Sequence, residues 1–209
     1  CQGLSLILHG RIAKIRSIIL KRLLLIDNYD SFTWNLRQML DESGMCETTV
    51  VKNDMITLNQ AGEYDAILLS PGPGVPSQAG LICELISQYV ESKPILGICL
   101  GHQAIAEVMG GRLLNLQEVR HGWLTEVRVC EKDPIFEGMN ESFPAGLYHS
   151  WVVAREELPQ DLSILALSDE GLVMALRYST FPCYGFQFHP ESIMTPSGGV
   201  LLQNWLKMI

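Results

Sequence analysis

The stretch PILGICLGHQ, residues 94–103, decides both the fold and the chemistry of this chain. An apolar run typical of a buried β-strand, residues 94–98, ends at Cys99 and passes at once into the pattern of a helix, residues 101–109. Glycine lies two positions before and two positions after the cysteine, which matches a Gly-x-Ser-x-Gly elbow with sulfur in place of oxygen. A nucleophile on such an elbow takes a strained turn, and glycine removes Cβ atoms that would collide with neighbouring chain.

The surroundings of Cys99 favour chemistry over simple packing. The helix that follows would aim free backbone N–H groups and a partial positive charge at the sulfur, which stabilises a thiolate. The N–H of Leu100 is then placed to bind a developing oxyanion. The alternative interpretation is an ordinary buried cysteine in front of an ordinary helix.

His189 is the strongest candidate for the base that a cysteine nucleophile needs. It ends the apolar run 184–188 and is followed by Pro190 and Glu191. Residues i and i+2 of an extended chain point the same way, so Glu191 can fix the orientation of the imidazole. The alternative is a histidine at a strand end beside a solvated acid. Three rival histidines lack this arrangement: His102, His121 and His149.

A third element is the loop SPGPG, residues 70–74, which stops a predicted strand. Ligands of open α/β sheets bind at the carboxyl ends of strands, and we expect this strand to neighbour the one that leads to Cys99. Glycine lets the backbone approach a substrate closely, so the N–H of Gly72 or Gly74 could complete an oxyanion hole. As a bare turn the motif is weak, but it gains weight beside the elbow and the histidine.

Short apolar runs alternate with amphipathic stretches from residue 23 onwards, which predicts an α/β fold with a mostly parallel central sheet flanked by helices. Predicted strands cover residues 23–26, 47–51, 65–69 and 94–98, and predicted helices cover 31–42, 79–90 and 101–109. The second half is β-rich, with strand-like runs at 112–116, 124–129, 162–167, 172–177 and 184–188 and a closing helix at 198–208.

Charge and length divide the chain into a basic extension, residues 1–22, and one domain, residues 23–209. The extension holds five basic residues and no acid, and we exclude it from the fold; a transit peptide and a cloning remnant both fit it. The remainder has 10 basic and 23 acidic residues, a net charge of −13. Such an acidic body argues against nucleic acid and anionic membranes as partners.

Other sequence features predict a soluble protein of a reducing compartment, the cytoplasm. No apolar run approaches the ~18 residues of a membrane span. The six cysteines are scattered, without a Cys-x-x-Cys pair, and we expect them to be free thiols. The five histidines show no zinc-binding spacing, so we expect neither a metal nor a cofactor on this chain.

The chain resembles the class I, triad-type glutamine amidotransferases over essentially all of residues 23–209. The resemblance rests on three motifs in the same order: residues 70–74, residues 97–103 and GFQFHPES, residues 185–192. The opening LIDNYDSFT, residues 25–33, is similar to that of the glutaminase subunits (component II) that serve anthranilate synthase and aminodeoxychorismate synthase.

The resemblance implies roles for individual residues. Cys99 would attack the side-chain amide of L-glutamine, with His189 as acid and base and Glu191 as the residue that orients it. The oxyanion and substrate pocket would be formed by Gly72, Pro73, Gly74, Leu100, Gln103, Ser150 and Trp151. Trp151, Trp123 and Trp34 depart from the residues that are frequent in the family, which leaves the partner contacts in question but not the chemistry.

The resemblance further implies a partner, a chorismate-binding synthase subunit that receives the ammonia. The loop 27–33 is a candidate for part of that interface, although Asp30 or Ser31 could simply cap the following helix. Three other interpretations stay open: a stand-alone γ-glutamyl cysteine hydrolase of the same fold, the glutaminase subunit of another amidotransferase, and an inactive binding module. The last would have lost Cys99, His189 or Glu191, and all three are present.

Overall fold

The computed structural model describes residues 20–209, which form eleven strands and five α-helices. In chain order the elements are β1 Lys21–Asp27, α1 Thr33–Ser43, β2 Cys46–Lys52, α2 Leu58–Ala61, β3 Ala66–Leu69, α3 Ile82–Tyr89, β4 Ile95–Ile98, α4 Leu100–Val108, β5 Leu113–Asn115, β6 Trp123–Val129, β7 Ser142–Leu147, β8 Trp151–Val153, β9 Leu162–Ser168, β10 Val173–Tyr178, β11 Cys183–Phe186 and α5 Gly198–Leu206.

Nine strands form one sheet in the order β2-β1-β3-β4-β11-β10-β9-β6-β7. The first five strands pair in parallel, and the remaining pairings are antiparallel. Strands β5 and β8 form a separate two-stranded sheet. The predicted fold class is confirmed, because five adjacent strands of the central sheet are parallel and helices flank it. Most strands of the β-rich second half extend this same sheet.

The parallel strands are buried on both faces, which explains their unbroken apolar sequences. Along β1, Leu23 and Leu25 belong to one core cluster and Leu24 and Ile26 to the other, and all four are fully buried. Helices α1 and α5 cover the first face, and α3 and α4 cover the second. Each of these buried side chains contributes about 1.5–3 kcal/mol to folding.

The topology brings the predicted motifs to one edge of the sheet. Strand β3 lies beside β4 as expected, and β11 lies on the other side of β4. Because all three are parallel, their carboxyl ends meet at the same edge. This edge, which we call the catalytic edge, therefore contains the loop 70–74, Cys99 and the segment that follows β11.

The start of the sheet differs slightly from the predicted domain boundary. Strand β1 begins at Lys21, and Lys21 and Arg22 pair with Cys46 and Glu47 of β2. The sheet thus includes the last two residues of the extension that we had excluded from the fold. Residues 1–19 lie outside the described residues, and the division into an extension and a domain stays a prediction.

The structure differs from the sequence-based predictions in a missed strand and in the start of a helix. Strand β7 was not predicted because it contains Pro144 and Gly146, but β7 is the edge strand of the sheet, where proline is tolerated. Helix α3 was expected to begin at residue 79, but Gly80 has a φ of 58°, so the regular helix begins only at Ile82. The short elements α2 and β8 were also missed.

Candidate active site

Cys99 occupies the strained elbow that its sequence predicts. Its φ of 50° and ψ of −96° lie in a region that non-glycine residues rarely adopt. A Cβ on Gly97 would collide with the backbone of Gly101 and lie 2.7 Å from the nitrogen of His102. A Cβ on Gly101 would lie 2.7 Å from the Cβ and the carbonyl oxygen of Leu69. Both glycines are therefore required by close approach of the backbone.

His189 and Glu191 form a buried pair immediately after β11. His189 Nδ1 lies 2.7 Å from Glu191 Oε1, and the two residues are 2% and 7% exposed. Two backbone contacts fix this segment: the His189 N–H donates to the carbonyl of Gly146, and the Thr195 hydroxyl donates to the carbonyl of His189. Nδ1 is thereby occupied, so Nε2, which has no hydrogen-bond partner among the described residues, is the nitrogen left for a thiol.

The electrostatics of His189 suit a group that donates a proton. Burial lowers the pKa of His189, but its contacts with Cys99 and then Glu191 raise it by more, so the pKa lies above the usual value. The imidazole therefore tends to keep its proton at neutral pH. Because His189 pairs with Glu191 and lines the same cavity as Cys99, the structure brings the three predicted catalytic residues into one cluster.

Three residues of this cluster were not predicted from the sequence. The ring of Tyr148 packs 4.8 Å from that of His189, and the ring of Phe32 packs at 5.5 Å, both edge-on. The Tyr148 hydroxyl also lies 3.1 Å from the Ser192 hydroxyl. Gln187 donates from Nε2 to Cys99 Sγ over 3.6 Å. Gln187 could have been found, because it lies two residues before His189 on an extended chain; Phe32 and Tyr148 gave no such signal.

A small cavity of about 160 Å³ lies on one side of Cys99. Its lining includes six of the seven predicted substrate residues together with three further ones. The predicted residues are Gly72, Pro73, Gly74, Gln103, Ser150 and Trp151, and the further ones are Val119, Tyr148 and His149. Leu100 is the exception: its side chain packs beneath Gly72, whose Cβ would lie 2.7 Å from Leu100 Cδ2. The role expected of Leu100 involves its backbone N–H alone.

Gln103 is held firmly at the base of this cavity. Its Nε2 donates to the carbonyl of Trp151 over 2.8 Å and to Gln187 Oε1 over 3.3 Å. Its Oε1 accepts no hydrogen bond from the described residues. An amide with its donors engaged presents an acceptor, which is the group that binds the ammonium of an amino acid.

A second, larger cavity of about 440 Å³ lies on the other side of Cys99. The two cavities share Gly72, Pro73, Cys99 and Tyr148. The second is otherwise lined by Tyr29, Asp30, Ser31, Phe32, Pro71, His121 and His189. The sulfur thus faces one space that fits an amino acid and another that opens beside the loop 27–33.

The loop 27–33 contains a second strained residue, Tyr29, with a φ of 61°. Its hydroxyl donates to the carboxylate of Asp54 over 2.9 Å, and Lys52 Nζ lies 3.7 Å above its ring. Phe32 precedes α1 at the capping position and makes no side-chain cap, so the alternative interpretation, in which Asp30 or Ser31 is the N-cap of α1, does not hold. Asp30 instead accepts a hydrogen bond from the N–H of Phe32.

The rival histidines do not form a comparable pair. Burial lowers the pKa of His102 to about 4, and burial with repulsion from His189 lowers the pKa of His149 to about 3. Both rings are unprotonated at neutral pH, and their nitrogens have no partners among the described residues. His121 lines the second cavity and packs edge-on against Tyr148, 5.4 Å away.

Within residues 20–209, no group of three or more His, Cys, Asp or Glu side chains is arranged to hold a metal ion. The same residues contain no helix with the length and hydrophobicity of a membrane span. The expectation that this chain has neither metal nor cofactor stays a prediction.

An α/β sheet with a cysteine on a strained elbow and a His–Glu pair from a neighbouring strand defines a triad-type cysteine amidohydrolase. The family model for class I glutamine amidotransferases matches residues 24–209, and the chain belongs to this family.

Curated relatives and solved structures agree with this assignment. The chain is 43% identical over 187 residues to aminodeoxychorismate/anthranilate synthase component 2 of Bacillus subtilis, covering 88% of this chain and 95% of the relative. It is 41% identical over 200 residues to anthranilate synthase component 2 of Thermus thermophilus, covering 93% and 95%. A Thermoplasma acidophilum protein thought to belong to GMP synthase superposes with a TM-score of 0.81 at 27% identity, covering 90% and 94%.

Proposed function

We propose that this chain is a glutaminase subunit that hydrolyses L-glutamine and passes ammonia to a chorismate-binding synthase subunit. The observation that carries the proposal is the position of Cys99, which lies between two cavities and lines one of them together with His189 of the His189–Glu191 pair. Relatives named for aminodeoxychorismate or anthranilate synthesis share 41–43% identity with it, so the proposal covers both products. The enzyme would act in the cytoplasm, where a reducing environment keeps Cys99 a free thiol.

The small cavity would hold the substrate. Gln103 Oε1 would accept from the α-ammonium group, and the segment at Ser150 and Trp151 would bind the other polar end of the amino acid. The side-chain amide then reaches Cys99, beside Gly72 and Gly74. A volume of about 160 Å³ suits an amino acid far better than a peptide, which favours glutamine over γ-glutamyl peptides as the substrate.

The first half-reaction forms a thioester and releases ammonia. The sulfur of Cys99, as thiolate, attacks the amide carbon, and the carbonyl oxygen becomes an oxyanion bound by backbone N–H groups of Leu100 and the loop 72–74. The carbon–nitrogen bond breaks as the protonated His189 gives its Nε2 proton to the leaving nitrogen. The products are ammonia and a glutamyl thioester on Cys99.

The second half-reaction restores the enzyme. Neutral His189 takes a proton from a water molecule, whose oxygen attacks the thioester carbon, and the carbon–sulfur bond breaks. The new carboxyl group loses its proton to solvent, so glutamate and the Cys99 thiolate result, and His189 again carries a proton. Glu191 stabilises the imidazolium and holds the ring in place throughout, because its Oε1 stays against Nδ1.

Ammonia would leave through the second cavity. Free ammonia is mostly ammonium at neutral pH and is then a poor nucleophile, so the reaction is useful only if a partner receives it directly. The sequence contains no Gly-x-x-x-x-Gly-Lys-[Ser/Thr] loop of the kind that binds ATP to activate an acceptor. This supports an acceptor bound by a separate synthase subunit.

The test compares two nitrogen sources with the assembled enzyme. Cys99→Ser should reduce glutamine-dependent amination of chorismate by about 10³-fold or more and leave ammonia-dependent amination unchanged. Cys130→Ser is the matched control, because Cys130 is exposed and far in sequence from the site, and it should behave as wild type. Loss of both activities in Cys99→Ser would mean that the cysteine is structural. Faster turnover of a γ-glutamyl peptide than of glutamine, with or without the synthase subunit, would contradict the proposal.

A further inference from the structure

Exposed large hydrophobic side chains are concentrated at the catalytic edge of the sheet. Ten such side chains occur in residues 20–209, and seven of them lie at this edge. We call these seven residues the apolar rim: Tyr29, Trp34, Met55, Val119, Trp123, Leu124 and Ile193.

The topology places every member of the rim at this one edge. Tyr29 and Trp34 follow β1, Met55 follows β2, and Ile193 follows β11, all at carboxyl ends of parallel strands. Strand β6 is separated from β11 by three antiparallel pairings and therefore runs in the opposite direction to β11. The beginning of β6 thus lies at the same edge as the carboxyl ends of the parallel strands. Val119 precedes β6, and Trp123 and Leu124 begin it.

Hydrophobic side chains scattered singly over a surface are ordinary, but a group confined to one side marks a contact site. Here two members of the group line the cavities beside Cys99. Tyr29 lines the second cavity, and Val119 lines the first. None of these seven side chains is needed to complete the core, because their exposed fractions range from 40% for Trp123 to 96% for Ile193.

Trp34 and Ile193 have the properties of anchoring residues. Trp34 is 62% exposed in the first turn of α1, and Ile193 is almost fully exposed. The backbone on both sides of Ile193 is nevertheless fixed: the Met194 N–H donates to the Ser192 hydroxyl, and Thr195 Oγ1 accepts from the N–H of Gly146. A large apolar side chain held out by a rigid backbone loses little entropy on binding, which is typical of interface hot spots.

The charges around the rim indicate the chemistry of the surface that would cover it. The two cations nearest to its aromatic rings are already engaged, with Lys52 over Tyr29 and Arg120 over Trp123. The acids at its margin, Asp54 and Glu118, have no ion-pair partner among the described residues. A complementary surface is therefore apolar in its centre and basic at its margin.

We propose that the apolar rim is the docking surface for the chorismate-binding synthase subunit, with Trp34 and Ile193 as the anchoring side chains. The choice of partner rests on the proposed function, because ammonia released at Cys99 needs an acceptor that covers the second cavity. The face that docks on this chain would present an apolar patch bordered by lysine or arginine.

Contact between the synthase subunit and Ile193 would also affect the segment that contains His189 and Glu191. Ile193 is two residues beyond Glu191, and the intervening Ser192 contacts the hydroxyl of Tyr148, whose ring packs on His189. A synthase subunit that presses on Ile193 thus acts on the segment that positions the imidazole.

The experiment measures the Kd between this full chain and the chorismate-binding synthase subunit of the same organism by calorimetry. Trp34→Glu, Ile193→Glu and Trp123→Glu each insert a charge into the rim. Leu20→Glu is the matched control, because Leu20 is 39% exposed at the opposite end of β1. Trp34→Glu and Ile193→Glu should each weaken binding about 30-fold or more, the factor that corresponds to an interface hot spot, and Leu20→Glu should not. Thermal unfolding should be unchanged in all four.

Each outcome decides a separate question. If the Kd of Trp34→Glu and that of Ile193→Glu both stay within about threefold of the wild-type Kd, the proposed docking surface is wrong. The proposed function would still stand. Equal weakening by Leu20→Glu would also overturn the docking surface. A wild-type chain that neither binds the synthase subunit nor supports glutamine-dependent amination would overturn the proposed function and the docking surface together. Unchanged glutaminase activity of the isolated Trp34→Glu variant shows that its defect is in docking.

Discussion

The parallel and antiparallel halves of the sheet contribute to the site in different ways. The parallel half supplies the reacting groups, since Cys99 follows β4 and His189 and Glu191 follow β11. The antiparallel half supplies a wall, because Tyr148, His149 and Ser150 lie in the connection between β7 and β8. The reacting groups thus lie at the ends of strands that are buried on both faces, whereas the antiparallel half completes the lining of the two cavities.

Removal of the imidazole should cause the largest effect. His189→Ala should slow glutaminase turnover by about 10² to 10⁴, the usual range for loss of a general acid and base. His121→Ala, which removes a histidine that lines the second cavity, should change turnover by less than tenfold. Steady-state assays of glutamate release measure both. If His121→Ala slowed turnover more than His189→Ala did, the catalytic base would be His121, which lies outside the parallel half.

The elbow glycines test how tightly the parallel half is packed. Gly97→Ala should lower the free energy of unfolding by about 3 kcal/mol or more, because the new Cβ collides with the backbone of α4. The matched control, Gly138→Ala, lies in the connection before β7, has a φ of 77° and has open space around it. It should cost about 1 kcal/mol from backbone conformation alone. Urea denaturation separates the two values, and equal costs would contradict the packing difference.

Acid should destabilise the protein through one histidine from each half. Folding depresses the pKa of His102 to about 4 and the pKa of His149 to about 3, so the unfolded chain binds more protons as the pH falls below 6.5. Each should therefore remove about 2 kcal/mol between pH 7.5 and pH 5. The raised pKa of His189 offsets part of this loss between pH 7.5 and 6, where the folded group already carries its proton and the unfolded group does not. Below pH 6 that group is protonated in both states and contributes no further change.

The measurement is the free energy of unfolding at the two pH values, for wild type, His149→Gln and the control His121→Gln. His149→Gln should show a smaller loss at pH 5, and His121→Gln should match wild type. A loss that is the same in all three proteins would mean that the buried histidines are protonated when folded.

The smallest effect should come from a substitution in the connection between β7 and β8. Tyr148→Phe keeps the ring beside His189 but removes the contact with Ser192, which should cost about 1 kcal/mol of stability. We expect kcat to fall less than tenfold. Phe32→Leu, which alters the other ring against His189, is a useful comparison. A loss of kcat as large as that of His189→Ala would give the Tyr148 hydroxyl a direct catalytic role.

The sequence predicted the parallel half well because its signals are local. Unbroken apolar runs identify β1, β3 and β4, and the glycines around Cys99 have a steric cause that two residues of spacing reveal. His189 and Glu191 were found because the side chains of i and i+2 in an extended chain share a direction. The position of β11 beside β4, which joins them to Cys99, follows from the topology and was not itself predicted.

The antiparallel half was predicted less completely because its determinants are distant. Strand β7 was missed because it contains Pro144 and Gly146, which are unfavourable inside a sheet. They are tolerated here because β7 is an edge strand. Tyr148 and Phe32 meet at His189 from residues more than a hundred positions apart, and nothing in either local sequence indicates that contact. The apolar rim was likewise invisible, since exposure of a hydrophobic residue is a property of the folded chain.

The most direct test of the central claim is mass spectrometry of the enzyme quenched in acid during turnover of glutamine. We predict a glutamyl group on the peptide that contains Cys99, absent from Cys99→Ser, with no label on Cys46, Cys83, Cys130 or Cys183. A label on another cysteine, or glutamine turnover that continues in Cys99→Ser, would contradict the account.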